Sequence, residues 1–173
     1  MSALPRHLLL CLTVAWGLLQ ATCAFADPLP EYTVKAGYLY NFALLTEWPS
    51  DAAGKNLEVC LIGNDDFLPA LQTLQGKMVN ERRINIHMLA NPSDAKECNV
   101  LFIAEVDRAE FALLKQEIAG LPILTVTDNE QLAKSGIVIT LRPEHQRLVF
   151  AIDTNAAKAA KLNISARLLR LAQ

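Results

Sequence analysis

The chain has 173 residues, 52% of them hydrophobic and 20% charged, with 16 lysines and arginines against 18 acids for a formal net charge of −2. That length holds one domain with a substantial core, and the apolar content excludes a disordered chain. The lack of a basic excess removes the electrostatic case for nucleic acid.

Residues 1–26 read as an export signal. Arg6 and His7 give a short basic start, Leu8 to Leu19 an apolar core, and Ala24-Phe25-Ala26 the small-x-small pattern of a cleavage site. The core spans about a dozen residues, short of the roughly 18 a membrane span needs. A buried N-terminal helix fits less well, because the run is unpatterned and stops before Asp27-Pro28. Gln20-Ala21-Thr22 is a poor lipidation context for Cys23. The mature chain is therefore expected to start at Asp27 and to work outside the cytoplasm, in the periplasm of a bacterium, without ATP or a thiol-reducing buffer. It keeps 147 residues, with 15 lysines and arginines against 18 acids for a net charge of −3. Its two cysteines, Cys60 and Cys98, form an even pair in an oxidising compartment, which favours a disulfide over two unrelated buried thiols.

The mature chain alternates helix and strand. Glu31 to Glu47 is an aromatic-rich helix that ends before Trp48-Pro49. Leu57 to Gly63 is a buried strand, and Asp66 caps a short helix from Phe67 to Gln75 with Gly76 past its end. Arg83 to Leu89 alternates as a half-exposed strand. Val100 to Ala104 is a second buried strand, followed by a helix capped by Asp107 and running to about Ala119. Ile123 to Thr127 is a third buried strand, with Asp128 opening a short helix that Gly136 stops. Ile137 to Leu141 and Arg147 to Ile152 flank a hairpin at Pro143-Glu144-His145-Gln146. Asp153 or Thr154 caps a helix to about Lys161, and after a turn at Leu162-Asn163-Ile164, Ser165 caps a last short helix. The expected fold is a single α/β domain over residues 27–173. Its mixed, mostly parallel sheet has about six strands, with helices on both faces and an antiparallel edge from the last hairpin.

Catalytic and metal motifs are missing. His87 and His145 have no ligand-like spacing to other His, Cys or carboxylate residues, and no HExxH, CxxC, GxGxxG, Walker A or GxSxG segment occurs. No catalytic residue, cofactor or metal ligand is assigned. Ser93-Asp94-Ala95-Lys96 and Lys134-Ser135-Gly136 imitate two elements of penicillin-interacting serine enzymes, but the Ser-x-Asn element between them is absent. Asn163-Ile164-Ser165 fits a glycosylation sequon that a bacterial exported protein would normally ignore. The acids sit at helix caps and on solvated faces, and Lys158, Lys161, Arg167 and Arg170 of the C-terminal pieces could attract an anionic partner, although charges near helix C-termini, which the dipole favours, account for them more simply.

Lys35-Ala36-Gly37-Tyr38-Leu39-Tyr40-Asn41-Phe42 through Trp48-Pro49 resembles the opening helix of the YfiR-like family of periplasmic proteins. The likeness continues in order. It takes in the strand containing Cys60, Arg82-Arg83-Ile84, Cys98-Asn99-Val100-Leu101-Phe102-Ile103, Leu124-Thr125-Val126-Thr127-Asp128, Val149 to Asp153, and Leu162 to Ala172. The resemblance implies a periplasmic repressor that binds the periplasmic part of an inner-membrane diguanylate cyclase, restraining cyclic-di-GMP signalling and biofilm formation. It also implies relief of that repression by an outer-membrane lipoprotein, and family positions that match a Cys60–Cys98 disulfide. The family's prototype has a second disulfide near the C-terminal hairpin, whereas this chain has no cysteine after Cys98. Ala160-Lys161-Leu162 stands where many members have Ala-Gly-Leu, and Asp153 where Asn is common. A second function class, a periplasmic small-ligand sensor or carrier, would use a cleft at the C-terminal ends of the strands.

The first helix is apolar on two faces, one with Tyr38, Leu39, Phe42 and Leu45 and another with Tyr32, Ala36, Tyr40 and Ala43. Something must cover the second face. One option is the last helix, with Leu168 and Leu169 against Tyr40. The other is a partner protein or a second copy in a homodimer, which makes Tyr38, Tyr40, Phe42, Trp48, Leu168 and Leu169 candidate contact residues.

Overall fold

The computed structural model describes residues 30–52, 54–145 and 147–173. The export signal, the Asp27 start and Gln146 of the hairpin lie outside the described residues. No helix among the described residues is long and apolar enough to cross a membrane.

The first helix, α1 (Glu31–Leu44), stops three residues before the expected Glu47. The Thr46 hydroxyl donates to the Phe42 carbonyl at 2.7 Å, satisfying an open acceptor at the helix end. Thr46–Glu47 then forms a short strand, β1, paired antiparallel with β9 (Asn163–Ile164), where the expectation was a turn. Two strand residues before Trp48-Pro49 satisfy the same steric bar to helix that proline imposes.

The main sheet holds β2 (Asn56–Ile62), β3 (Met78–Val79), β4 (Arg82–Met88), β5 (Val100–Ile103), β6 (Leu124–Thr127), β7 (Ile139–Glu144) and β8 (Arg147–Ile152). Their order across the sheet is β3-β4-β2-β5-β6-β7-β8. The five inner strands are parallel, and β3 and β8 pair antiparallel at the two edges. The sheet thus has seven strands rather than six. The additional one, β3, is two residues long and too short to show a period. It turns into β4 through Asn80 and Glu81, both with positive φ (46° and 69°), without the glycine that usually marks such a turn.

Alternation along the strands divides the core in two. Leu57, Val59 and Leu61 of β2 and Val100 and Phe102 of β5 pack with α1, with Phe67 and Leu71 around α2 (Leu68–Gln72), and with Leu168 of α5 (Ala166–Leu171). Cys60, Ile62, Leu101 and Ile103 face the other way, onto Phe111 and Leu114 of α3 (Arg108–Glu117) and Ala95 of the 3-10 segment Pro92–Glu97. Each fully buried Leu, Ile, Val or Phe contributes about 1.5–3 kcal/mol of transfer free energy. Cys60 and Cys98 form a disulfide, Cα atoms 6.0 Å apart, that ties the end of the 3-10 segment to β2.

Three of the expected caps are present. Asp107 accepts from the Glu110 N–H on α3, Asp153 from Asn155 and Ala156 on α4 (Thr154–Ala159), and Ser165 from Leu168 on α5. Two differ. Asp66 caps nothing, because α2 starts at Leu68 after Phe67 and the Asp66 N–H is itself taken by Asn64 Oδ1 at 2.7 Å. Asn129, rather than Asp128, caps the short 3-10 turn Glu130–Leu132, accepting from Gln131 at 2.9 Å. Asp128 is engaged elsewhere, by Lys35.

Candidate functional site

Helix α1 crosses one face of the sheet, and polar side chains pin it at three points. Lys35 is buried, and its Nζ lies 2.6 Å from Asp128 Oδ2 at the end of β6 and 2.5 Å from Glu31 Oε1 one turn away. Burial pushes the ammonium pKa down, but the hydrogen bonds to Asp128 and Glu31 outweigh that and hold it above the ordinary lysine value. The Tyr38 hydroxyl donates to the Leu148 carbonyl of β8 at 2.8 Å, and the Tyr40 hydroxyl to the Met78 carbonyl of β3 at 3.0 Å.

These bonds show what covers the second apolar face. Tyr40 reaches β3, and Tyr32 stacks on Phe67 beside α2 with ring centroids 5.8 Å apart. The cover comes from α2 and β3, not from Leu168 and Leu169. The C-terminal helix lies against the other face instead. There Tyr38, Phe42 and Phe150 form an aromatic triangle with centroid separations of 4.9–5.8 Å, and Leu168 closes in beside them at 2% exposure.

Between α1, α5 and β8 an open apolar groove of about 480 Å³ remains, with Tyr38, Phe42, Phe150 and Leu168 among its walls and Arg167 at its rim. A second groove of about 630 Å³ continues past Val34 and Tyr38 to Pro143, Arg147 and Leu148 beside the last hairpin. Of the candidate contact residues, Tyr38, Phe42 and Leu168 come together here. Leu169 is exposed next to the groove, at 39%. Tyr40 faces β3. Trp48 lies past the C-terminal end of α1 and outside the groove, where its Nε1 donates to the Asn99 carbonyl at 3.2 Å and its ring carries the Arg82 guanidinium at 5.7 Å. Burial pulls Arg82 below its ordinary value and nearby Glu58 opposes this, which leaves the group charged.

Sequence reasoning missed Val34, Gly37, Asn41 and Phe150, which also line the grooves, while Arg167 was among the basic residues that could attract an anionic partner. A signal was available. Val34, Gly37, Tyr38, Asn41 and Leu45 recur at helical spacing, and Gly37, with nothing within 4 Å of a built Cβ, opens the surface.

The small-ligand reading places its cleft beyond the C-terminal ends of the strands. The chain reverses direction across the sheet between β2 and β5, where α/β folds bind ligands beyond the strand ends. There Gly63 (φ +99°) lies so close to the Glu105 backbone that a Cβ on it would sit 2.5 Å from the Glu105 carbonyl oxygen. The serine-enzyme imitation is also explained. Lys96 pairs with Glu117 of α3 at 2.5 Å instead of serving Ser93. Among the described residues, no three His, Cys, Asp or Glu side chains are grouped to hold a metal ion.

A family model described as YfiR/HmsC-like matches residues 32–173 of the chain.

Proposed function

The chain belongs to the YfiR/HmsC-like family, and from that premise we propose that it is a periplasmic regulatory protein. In this reading it binds the periplasmic domain of an inner-membrane diguanylate cyclase and represses it, restraining cyclic-di-GMP signalling and biofilm formation. An outer-membrane lipoprotein that captured the protein would relieve the repression.

The observation that carries the reading is the apolar groove between α1 and α5, walled by Tyr38, Phe42, Phe150 and Leu168 and flanked by exposed Leu44, Leu169 and Leu171. Aromatic walls with an aliphatic rim suit a protein contact, in which a few aromatic anchors dominate the affinity. Tyr40 and Trp48 take part by holding the C-terminal part of α1 and the residues that follow it. The reading asks for no cofactor and no catalytic group, and it leaves open a homodimer built on the same surface.

The test is genetic and chemical together. Deleting the gene raises cellular cyclic-di-GMP, and deleting the cognate membrane cyclase as well abolishes the rise. An unchanged cyclic-di-GMP level on deletion, with that cyclase expressed, overturns the proposal.

A further inference from the structure

The edge strand β8 is open for most of its length, and its register shows which groups face outward. In an antiparallel pair, residues alternate between bonding across the ladder and pointing away. Asp153 N–H donates to the Val138 carbonyl at 2.9 Å, and Pro143, which has no N–H, stands opposite Leu148. Arg147, Val149 and Ala151 therefore bond to β7, while Leu148, Phe150 and Ile152 turn their backbone groups away from the sheet. Two bonds from outside agree. The Tyr38 hydroxyl reaches the Leu148 carbonyl at 2.8 Å, and the Gln173 N–H reaches the Phe150 carbonyl at 2.9 Å. The N–H groups of Leu148, Phe150 and Ile152 meet no acceptor among the described residues.

Such a row of donors is a template for another strand, and proteins normally cover or blunt it. Here a single backbone bond from Gln173, in the extended residues after α5, is the only main-chain cover described for it. The two grooves run along this same edge and share Val34 and Tyr38. Their free charges are basic. Arg147 and Arg167 line one groove each, and neither has an acidic partner within 4.0 Å among the described residues. Glu31, the acid at the far groove, is paired with Lys35, which it shares with Asp128.

We infer that the partner docks by adding an extended, acidic segment as a new strand on β8, displacing Gln173 from Phe150. Every second side chain of that segment drops into the apolar groove under α1, and its carboxylates meet Arg147 and Arg167. Main-chain bonds supply affinity and the alternate side chains supply selectivity, as in other strand-addition complexes. This inference rests on the proposed function and names how the contact is made.

Hydrogen exchange of the mature protein, alone and with the purified periplasmic domain of the host's membrane diguanylate cyclase, tests it. In the free protein the amides of Leu148, Phe150 and Ile152 exchange fast. On binding they slow by at least about tenfold as they enter a ladder. Arg147→Glu with Arg167→Glu weakens binding about tenfold, with the loss shrinking at high salt. Binding that leaves the three amides fast refutes strand addition while the regulatory reading stands. A failure of the domain to bind at all overturns both.

Discussion

Replacing Cys60 and Cys98 together by alanine is expected to cost about 4–5 kcal/mol of stability. The bond spans a sequence separation of 38, for which the chain-entropy model gives about 13 cal/mol/K, or about 4 kcal/mol at 25 °C. The two residues are 2% and 3% exposed, so losing their sulfur contacts adds roughly 1 kcal/mol. For a domain of this size, 1 kcal/mol moves the thermal midpoint by roughly 3–4 °C, which puts the expected fall near ~15 °C. Circular dichroism melts of three samples check this: oxidised wild type, wild type with a thiol reductant, and the double variant. The last two should nearly coincide, well below the first. A double variant melting within about 3 °C of the oxidised wild type refutes the reasoning, because the bond would then add almost nothing to the fold.

The neighbours Leu168 and Leu169 should behave oppositely under truncation. Leu168→Ala, at 2% exposure, loses about 2–4 kcal/mol in urea unfolding, whereas Leu169→Ala, at 39%, loses less than about 1; equal losses contradict the packing described. Lys35→Met costs ~1–3 kcal/mol at neutral pH, because it strips Asp128 of its partner. Since the folded state raises the Lys35 pKa, the pair's contribution is complete below the ordinary lysine value and lost as pH rises through the raised one. The stability gap between wild type and Lys35→Met should therefore hold through neutral pH and shrink in alkali, and a gap that widens there is inconsistent with this pairing. Lys161→Gly should stabilise by about 1 kcal/mol, since Lys161 has φ +56° in the left-handed position after α4, where glycine avoids the Cβ penalty; differential scanning calorimetry showing a lower midpoint for the variant rejects that account.

Much of the fold could be read in advance because its strands are buried on both faces. Leu57–Ile62, apolar but for Glu58, and the continuous apolar run Val100–Ile103 have alternate residues feeding two separate cores, and Gly63 marks the end of the first. What escaped was short or depended on contacts distant in the chain. β3 has two residues and a turn at Asn80-Glu81 without glycine. β1 and β9 exist only because residues 46–47 and 163–164 meet. Asp128 reads as a helix cap from its neighbours, yet Lys35, 93 positions earlier, claims its carboxylate. The same holds at the groove. Tyr38, Phe42 and Leu168 were visible as apolar positions, but the wall from Phe150 and the rim from Arg147 and Arg167 follow from how the last hairpin and α5 fold back onto α1.

The most direct measurement of the central claim is cyclase turnover itself. The host's full-length membrane diguanylate cyclase, reconstituted in proteoliposomes with its periplasmic domain outward, is supplied with GTP inside and titrated with the mature chain from outside. The account predicts that cyclic-di-GMP production falls along a saturable curve, with Arg147→Glu/Arg167→Glu requiring about tenfold more protein to reach the same inhibition. Turnover that stays constant at saturating wild-type protein contradicts it.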